Sequence, residues 1–211
     1  LAGRPGSAAL VDHGLAALTG VFHDTEHGGW YAEVDADGTP RDASKAAYPH
    51  AFVVLAAASA TVAGRGGARA LLDEALSVQE QRFWDDAAGM AVEQWDRTFT
   101  DLDPYRGVNA NMHTVEAYLA AADVTGDRRW LDRAVRVVER VVHGLARRND
   151  GRIPEHLDAT WTRPLTVQYF IEETCTGGHR SHCIRTLWPD PDLVEVKNGE
   201  KQLLSSWHQP R

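Results

Sequence analysis

The chain has 211 residues, 43% of them hydrophobic, and a formal net charge of −8, which is enough apolar material for a sizeable core and no signature of disorder. An acidic balance without clustered Lys and Arg excludes nucleic acid and acidic membranes as main partners, because phosphate binding rests on such clusters, and favours neutral or weakly charged small molecules. No run approaches the roughly twenty apolar residues of a bilayer span, and the opening LAGRPGSAAL has neither a charged n-region nor an apolar h-region, so a cytoplasmic location is expected.

In chain order, the first distinctive segment is HGGWYAEVDADG from His27, a short extended run whose Asp-Gly pair marks a hairpin turn. The run from Ala46 to Ala63 is long enough for a helix, with Pro49 tolerated only in its first turn, where a missing N–H costs nothing. Gly64 to Gly67 punctuates it. The next helix starts at Ala68 and brings Leu71, Ala75, Val78 and Phe83 near one stripe. A second extended segment, AGMAVEQWDRTF from Ala88, leads to a helix over Val108 to Thr125. After the turn at Thr125 to Asp127, RRWLDRAVRVVERVVHGL carries Leu131, Val135, Val138 and Val142 as an apolar stripe. A third segment, DGRIPEHLDATW, follows from Asp150.

The three extended segments align. Gly29, Gly89 and Gly151 each precede a Glu (Glu33, Glu93, Glu155) and then an Asp (Asp35, Asp96, Asp158), with a period of about sixty residues. Each unit is a helical hairpin plus an extended excursion, and a hairpin cannot bury its apolar face alone, so neighbours must stack. The expected class is all-α, with hairpin repeats closing towards a ring of inner and outer helices. Ala56, Ala57, Ala58 and Ala60 permit the close approach that inner helices need. Alanine is abundant up to Thr162 and absent from Pro164 to Arg211, which sets an expected boundary between a helical-repeat domain at 1–162 and a divergent tail at 163–211.

On a helix of about 3.6 residues per turn, Val108, Met112, Val115, Leu119 and Ala122 form an apolar stripe, expected to be the packing face. Asn109, His113, Glu116 and Ala120 form a second stripe, expected to look into the central cavity. An imidazole near a helix N-terminus is disfavoured as imidazolium by the helix dipole and stays available as acceptor or base. An amide one turn earlier can bind a hydroxyl. Together they suit a polyhydroxylated ligand, whose OH groups need partners once desolvated.

Other signals are weaker. Cys175, His179, His182 and Cys183 lack the paired-ligand spacing of a zinc site, and two cysteines are no disulfide framework. DADGT at Asp35 to Thr39 lacks the remaining ligands of a calcium loop. A glycoside hydrolase would need two carboxylates flanking the scissile bond. Glu33, Glu93 and Glu155 recur with the repeat, and a structural origin is simpler.

The phrases YRGVNANMHTVEAYLAA, HGGWYAEVDADGTPRDASKAAYPHAFVVLAAA and TGDRRWLDRAVRVVERVV resemble the N-acylglucosamine 2-epimerase family, over about Pro5 to Thr162. The resemblance implies an (α/α)6 barrel with a sugar in its cavity, of which this chain supplies about half. It implies a carbohydrate epimerase or aldose–ketose isomerase that needs no metal or redox cofactor and works by proton transfer through an enediol. By motif it implies His113 as the catalytic imidazole and Tyr48 and Asn109 as substrate-binding residues, with Glu116 supporting His113. Trp30, Trp95, Lys45 and His50 are expected to be structural. The family's early arginine and its later acid/base histidines have no counterpart here, and no likeness is expected after Trp161. The alternative expectations are an inactive or sugar-binding remnant and an (α/α) toroid glycoside hydrolase. A monosaccharide is the expected partner, and the exposed faces of a half ring predict self-association.

Overall fold

A computed structural model describes residues 4–162 throughout, and beyond them the backbone of four short strands. The chain divides into two compact units, Leu1–Pro164 and Leu165–Arg211. In the first, α1 (Ser7–Thr19) precedes β1 (Glu33–Val34), β2 (Pro40–Asp42) and β3 (Lys45–Ala46). Then come α2 (Ala47–Val62), α3 (Ala68–Val78), β4 (Trp84–Asp85), β5 (Met90–Ala91), β6 (Gln94–Trp95) and β7 (Arg106–Gly107). α4 (Val108–Thr125), α5 (Arg128–Val138) and β8 (His156–Leu157) complete it. In the second unit β9 (Gln168–Phe170) pairs antiparallel with β10 (Arg185–Leu187), and β11 (Val196–Lys197) with β12 (Glu200–Lys201).

The hairpin-plus-excursion repeat is present. α2 turns into α3 and α4 into α5, and Pro49 sits in the first turn of α2, as its missing N–H demands. The second turn is closed by Gly126 at φ 72° and by Asp127, whose carboxylate accepts the Arg129 N–H. Both outer helices widen at their ends into π-type turns, Gln79–Phe83 and Glu139–Leu145, and there Phe83 and Leu145 enter the core. Among the described residues no helix is long and apolar enough to cross a membrane.

The excursions repeat in backbone detail. Gly29, Gly89 and Gly151 all have left-handed φ, at 70°, 68° and 77°. At Gly29 a side chain is barred twice over, by φ and because a Cβ would lie 2.8 Å from His50 Nε2. Three residues beyond each repeated Asp the chain is again left-handed, at Gly38 (85°), Phe99 (58°) and Trp161 (61°). A side chain there costs about 1–2 kcal/mol. Burial of the Phe99 and Trp161 rings offsets that cost. So do the preceding carboxylates: Asp96 accepts from the N–H groups of Thr100 and Asp101, and Asp158 from Thr160.

Each inner helix is tied at its start to the excursion that follows. β3 pairs antiparallel with β6, and β7 with β8. The Ala47 N–H donates to the Glu93 carbonyl at 2.7 Å, and the Val108 N–H to the Glu155 carbonyl at 2.9 Å. One turn in, His50 and Asn111 occupy the same slot. His50 Nδ1 donates to the Ala46 carbonyl and Nε2 accepts the Trp30 N–H. The Asn111 amide donates to the Gly107 and Ala91 carbonyls and accepts the Ala91 N–H.

Two apolar stripes differ from expectation. On α4, Met112 is 51% and Leu119 43% exposed, and the packing face is Ala110, Asn111, Thr114, Ala117, Tyr118 and Ala121. α4 is wedged between α2 and α5, and its small residues permit the contact, while Asn111 and Thr114 satisfy their polar atoms on nearby backbone. On α5 and the π-type turn that extends it, Leu131, Val135, Val138 and Val142 are 38–46% exposed, and Trp130, Ala134, Val137, Val141 and Leu145 are buried instead. On α3 the expected stripe holds, with Leu71, Ala75 and Phe83 buried.

Candidate active site

α2 and α4 lie side by side with their N-termini at one end, which brings their first turns together. Tyr48 is the second residue of α2, Asn109 the second of α4, and Phe52 and His113 stand one turn further along the respective helices. The His113 ring meets Tyr48 edge-on, with centroids 5.0 Å apart and planes at 88°, and meets Phe52 at 4.9 Å. Tyr48 and Phe52 are themselves 5.0 Å apart. None of the four belongs to either core cluster. Tyr48 and Phe52 are each 41% exposed, and Asn109 is exposed. Along the second stripe of α4, Asn109 and Glu116 are exposed and the His113 side chain is 18% exposed, and the structure joins Tyr48 to His113 with Asn109 one turn away.

Glu116 stands where support for His113 requires it, its Oε2 2.8 Å from Nδ1. A carboxylate only accepts, so Nδ1 carries the proton in this contact and Nε2 is the nitrogen left for a ligand. The imidazole is held by three neighbours, two aromatic and one acidic, which restricts its ring orientation.

Residues read as structural are tied into the scaffold. Lys45 is fully buried, its Nζ 3.0 Å from Asp24 Oδ2 and above the Tyr31 ring. Asp24 also takes a paired contact from Arg97. Burial alone would raise the Asp24 pKa, but Arg97, Lys45 and two backbone N–H groups hold it well below the usual carboxylate range. Burial drives His50 down to about 3, with nearby Lys45 adding to the effect, so it is a neutral scaffold imidazole. The Trp30 and Trp95 indoles donate to the Leu18 and Arg82 carbonyls, each at 2.7 Å.

The recurring glutamates play separate local roles. Glu33 pairs with Arg41 in solvent, and Glu93 accepts the Gly107 N–H at 2.9 Å, its pKa raised by burial. DADGT forms the β1–β2 turn, with the Asp35 N–H on the Thr39 carbonyl and the Gly38 N–H on the Asp35 carbonyl. Among the described residues no group of three or more His, Cys, Asp or Glu side chains is placed to hold a metal. Cys175, His179, His182 and Cys183 lie outside the described residues.

Sequence reasoning missed Phe52 and the contact of Tyr105 Oη with His156 Nδ1 at 2.6 Å, close to the head of α4. For Phe52 the signal was present: it stands one repeat before His113, as Tyr48 stands one repeat before Asn109.

Residues 1–187 match the family model of N-acylglucosamine 2-epimerase. The chain belongs to the N-acylglucosamine 2-epimerase family. The family-model match runs past Trp161, where likeness was expected to stop, to residue 187, while two curated relatives align over 161 and 163 residues. Family relatives include a D-mannose isomerase of Thermobifida fusca, 55% identical over 161 residues, 76% of this chain and 40% of that protein. A D-mannose isomerase of Pseudomonas cannabina pv. alisalensis is 52% identical over 163 residues, 77% of this chain and 39% of that protein. The chain thus spans about two-fifths of the curated relatives it matches. A D-mannose isomerase crystal structure superposes with a TM-score of 0.68 at 29% identity, covering 73% of this chain and 39% of that one. The cellobiose 2-epimerase of Spirochaeta thermophila shares the fold at a TM-score of 0.68 and 21% identity, over 79% and 44% of the two chains. The hairpin repeats described above are about half of the epimerase (α/α)6 toroid.

Proposed function

We propose that the paired first turns of α2 and α4 form one wall of a monosaccharide site, and that the reaction served is aldose–ketose isomerisation of a D-mannose-like aldohexose. The observation that carries this reading is the His113 imidazole, held by Tyr48, Phe52 and Glu116 on an open helix face beside Asn109. Two relatives at 55% and 52% identity named D-mannose isomerase support the choice of sugar and of isomerisation.

In this reading the open-chain sugar presents its C2–H to His113 Nε2. The C–H bond breaks, its electron pair forms the C1=C2 bond of an enediol, and the carbonyl oxygen takes up a proton. Return of a proton to C1 gives the ketose, and its return to the other face of C2 gives the 2-epimer. The balance closes without oxidant or reductant. Histidine suits the task because its ordinary pKa lies near working pH. Asn109 and Tyr48 hold hydroxyls that would otherwise be desolvated without partners.

The test is incubation of the chain with D-mannose in D2O, followed by NMR for deuterium at C2 of mannose and C1 of fructose. Exchange that disappears in His113→Gln and falls at least tenfold in Asn109→Ala is expected. Exchange unchanged in His113→Gln would remove the imidazole from the chemistry. Mannose binding at this face without any exchange would instead favour a sugar-binding role.

A further inference from the structure

The two inner helices offer the same pair of positions to the candidate site, one repeat apart, filled with opposite chemistry. On α4 the pair is Asn109 and His113, both polar, and on α2 it is Tyr48 and Phe52, both aromatic. We propose that Phe52, flanked by Tyr48, is the apolar wall of the site and receives the C–H face of an aldohexose while Asn109 and His113 take its hydroxyls. This rests on the sugar reading above and adds a specificity-determining residue to it.

Three observations carry the assignment. Phe52 sits among the buried Ala51, Val53 and Val54, yet it is 41% exposed, as Tyr48 one turn earlier on α2 is, and it lies outside both core clusters. Its ring is also held, with Tyr48 at 5.0 Å and an interplanar angle of 52°, and His113 at 4.9 Å and 45°. A fixed ring is a preorganised surface, and little side-chain freedom is lost on binding. Finally, it touches the imidazole that the reaction needs, so a sugar resting on Phe52 and Tyr48 lies within reach of His113.

The chemistry of the ligand matches this division. A hexose is amphipathic, with hydroxyls around its rim and a patch of C–H groups on a face. Hydroxyls need paired donors and acceptors, which α4 supplies. The C–H patch gains only from burial against an apolar surface, and covering roughly 40 Å² of it strengthens binding about fivefold. Ligand pockets commonly combine such a wall with a few placed polar groups.

The experiment uses the full chain with D-mannose as probe. Ring protons of Phe and Tyr are saturated in the NMR experiment and transfer to the sugar C–H protons is read, with affinities from titration of wild type, Phe52→Leu, Phe52→Trp and Asn109→Ala. Wild type is expected to show transfer onto neighbouring C–H protons of one sugar face, and the Phe52 ring resonances to move on titration. Phe52→Leu, which removes the ring protons but keeps an apolar side chain, should lose most of that transfer and weaken binding by about two- to fivefold. Phe52→Trp should retain both, and Asn109→Ala should weaken binding while leaving the transfer pattern intact. Unchanged affinity and transfer in Phe52→Leu would overturn the proposal, as would wild-type Phe52 resonances that stay put while mannose binds. Those results leave the sugar reading standing; no mannose binding by wild type would overturn both. Because the wild-type resonances report directly, a Phe52→Leu chain that failed to fold would not block the decision.

Discussion

Acid should unfold this protein through His50 before it does so through its carboxylates. The imidazole donates from Nδ1 to the Ala46 carbonyl and accepts the Trp30 N–H at Nε2, in a fully enclosed site. Protonating Nε2 would place an N–H against an N–H and a charge in the core. The folded pKa falls to about 3 from an ordinary 6.5. The sign follows: below pH 6.5 the unfolded chain binds the proton and the folded chain does not, so stability drops as pH falls and levels off near pH 3. At about 1.4 kcal/mol per unit, the full loss is about 5 kcal/mol, of which about 2 kcal/mol comes between pH 6.5 and 4.5. Asp24 adds its own loss only at lower pH, because its depressed pKa protects stability until pH falls below the ordinary carboxylate value. Glu93, with a raised pKa, acts in the opposite sense, so the contrast must come from a variant. His50→Asn supplies one, since Asn111 makes the same contacts in the equivalent slot with a group that does not titrate. Urea unfolding followed by tryptophan fluorescence at pH 6.5, 5.5 and 4.5 should show wild type losing about 2 kcal/mol more than His50→Asn over that range. Equal losses in the two proteins would mean that His50 is not the titrating group.

Further expectations follow from the scaffold. Gly107 has ordinary extended backbone, but a Cβ there would lie 2.5 Å from Glu93 Oε2, so Gly107→Ala should cost about 1–3 kcal/mol by sterics alone. Pairing it with Glu93→Ala should recover much of that cost; strict additivity in the double-mutant cycle would refute the clash. Asp24→Asn leaves fully buried Lys45 without its carboxylate and should cost about 3–5 kcal/mol in urea unfolding. Lys45→Met in that background should restore part of the loss. The apolar strip of Leu131, Val135, Val138 and Val142 along α5 and its π-type turn should drive self-association, and sedimentation velocity of Val135→Glu with Val142→Lys should show a lower weight-average mass than wild type.

The parts of the fold that backbone geometry demands were readable in the sequence. Gly29, Gly89 and Gly151 stand out because a left-handed turn needs glycine, and the period they set locates the hairpins. Burial was harder to read. In an alanine-rich helix several faces are apolar enough to pack, and the choice belongs to the neighbours: α4 buries Ala117 and Ala121 and leaves Met112 and Leu119 outside. Asn109 and Asn111, two residues apart, have opposite fates, one exposed and one fully buried on backbone partners. His50 and His113 are likewise indistinguishable as letters. Repeat position separates them, because His50 shares a slot with a scaffold amide whereas His113 shares one with an exposed ring.

The forward latching of the inner helices sets an order on synthesis. The head of α2 is closed by Gln94 and Trp95, and the head of α4 by His156 and Leu157, so each helix waits for chain made about one repeat later. On the ribosome the newest inner helix is therefore open at its start until the next excursion has emerged. A nascent chain arrested near Asp150 would carry a finished α2 and an unlatched α4, whose first turn, Asn109 included, stays unfastened until translation resumes.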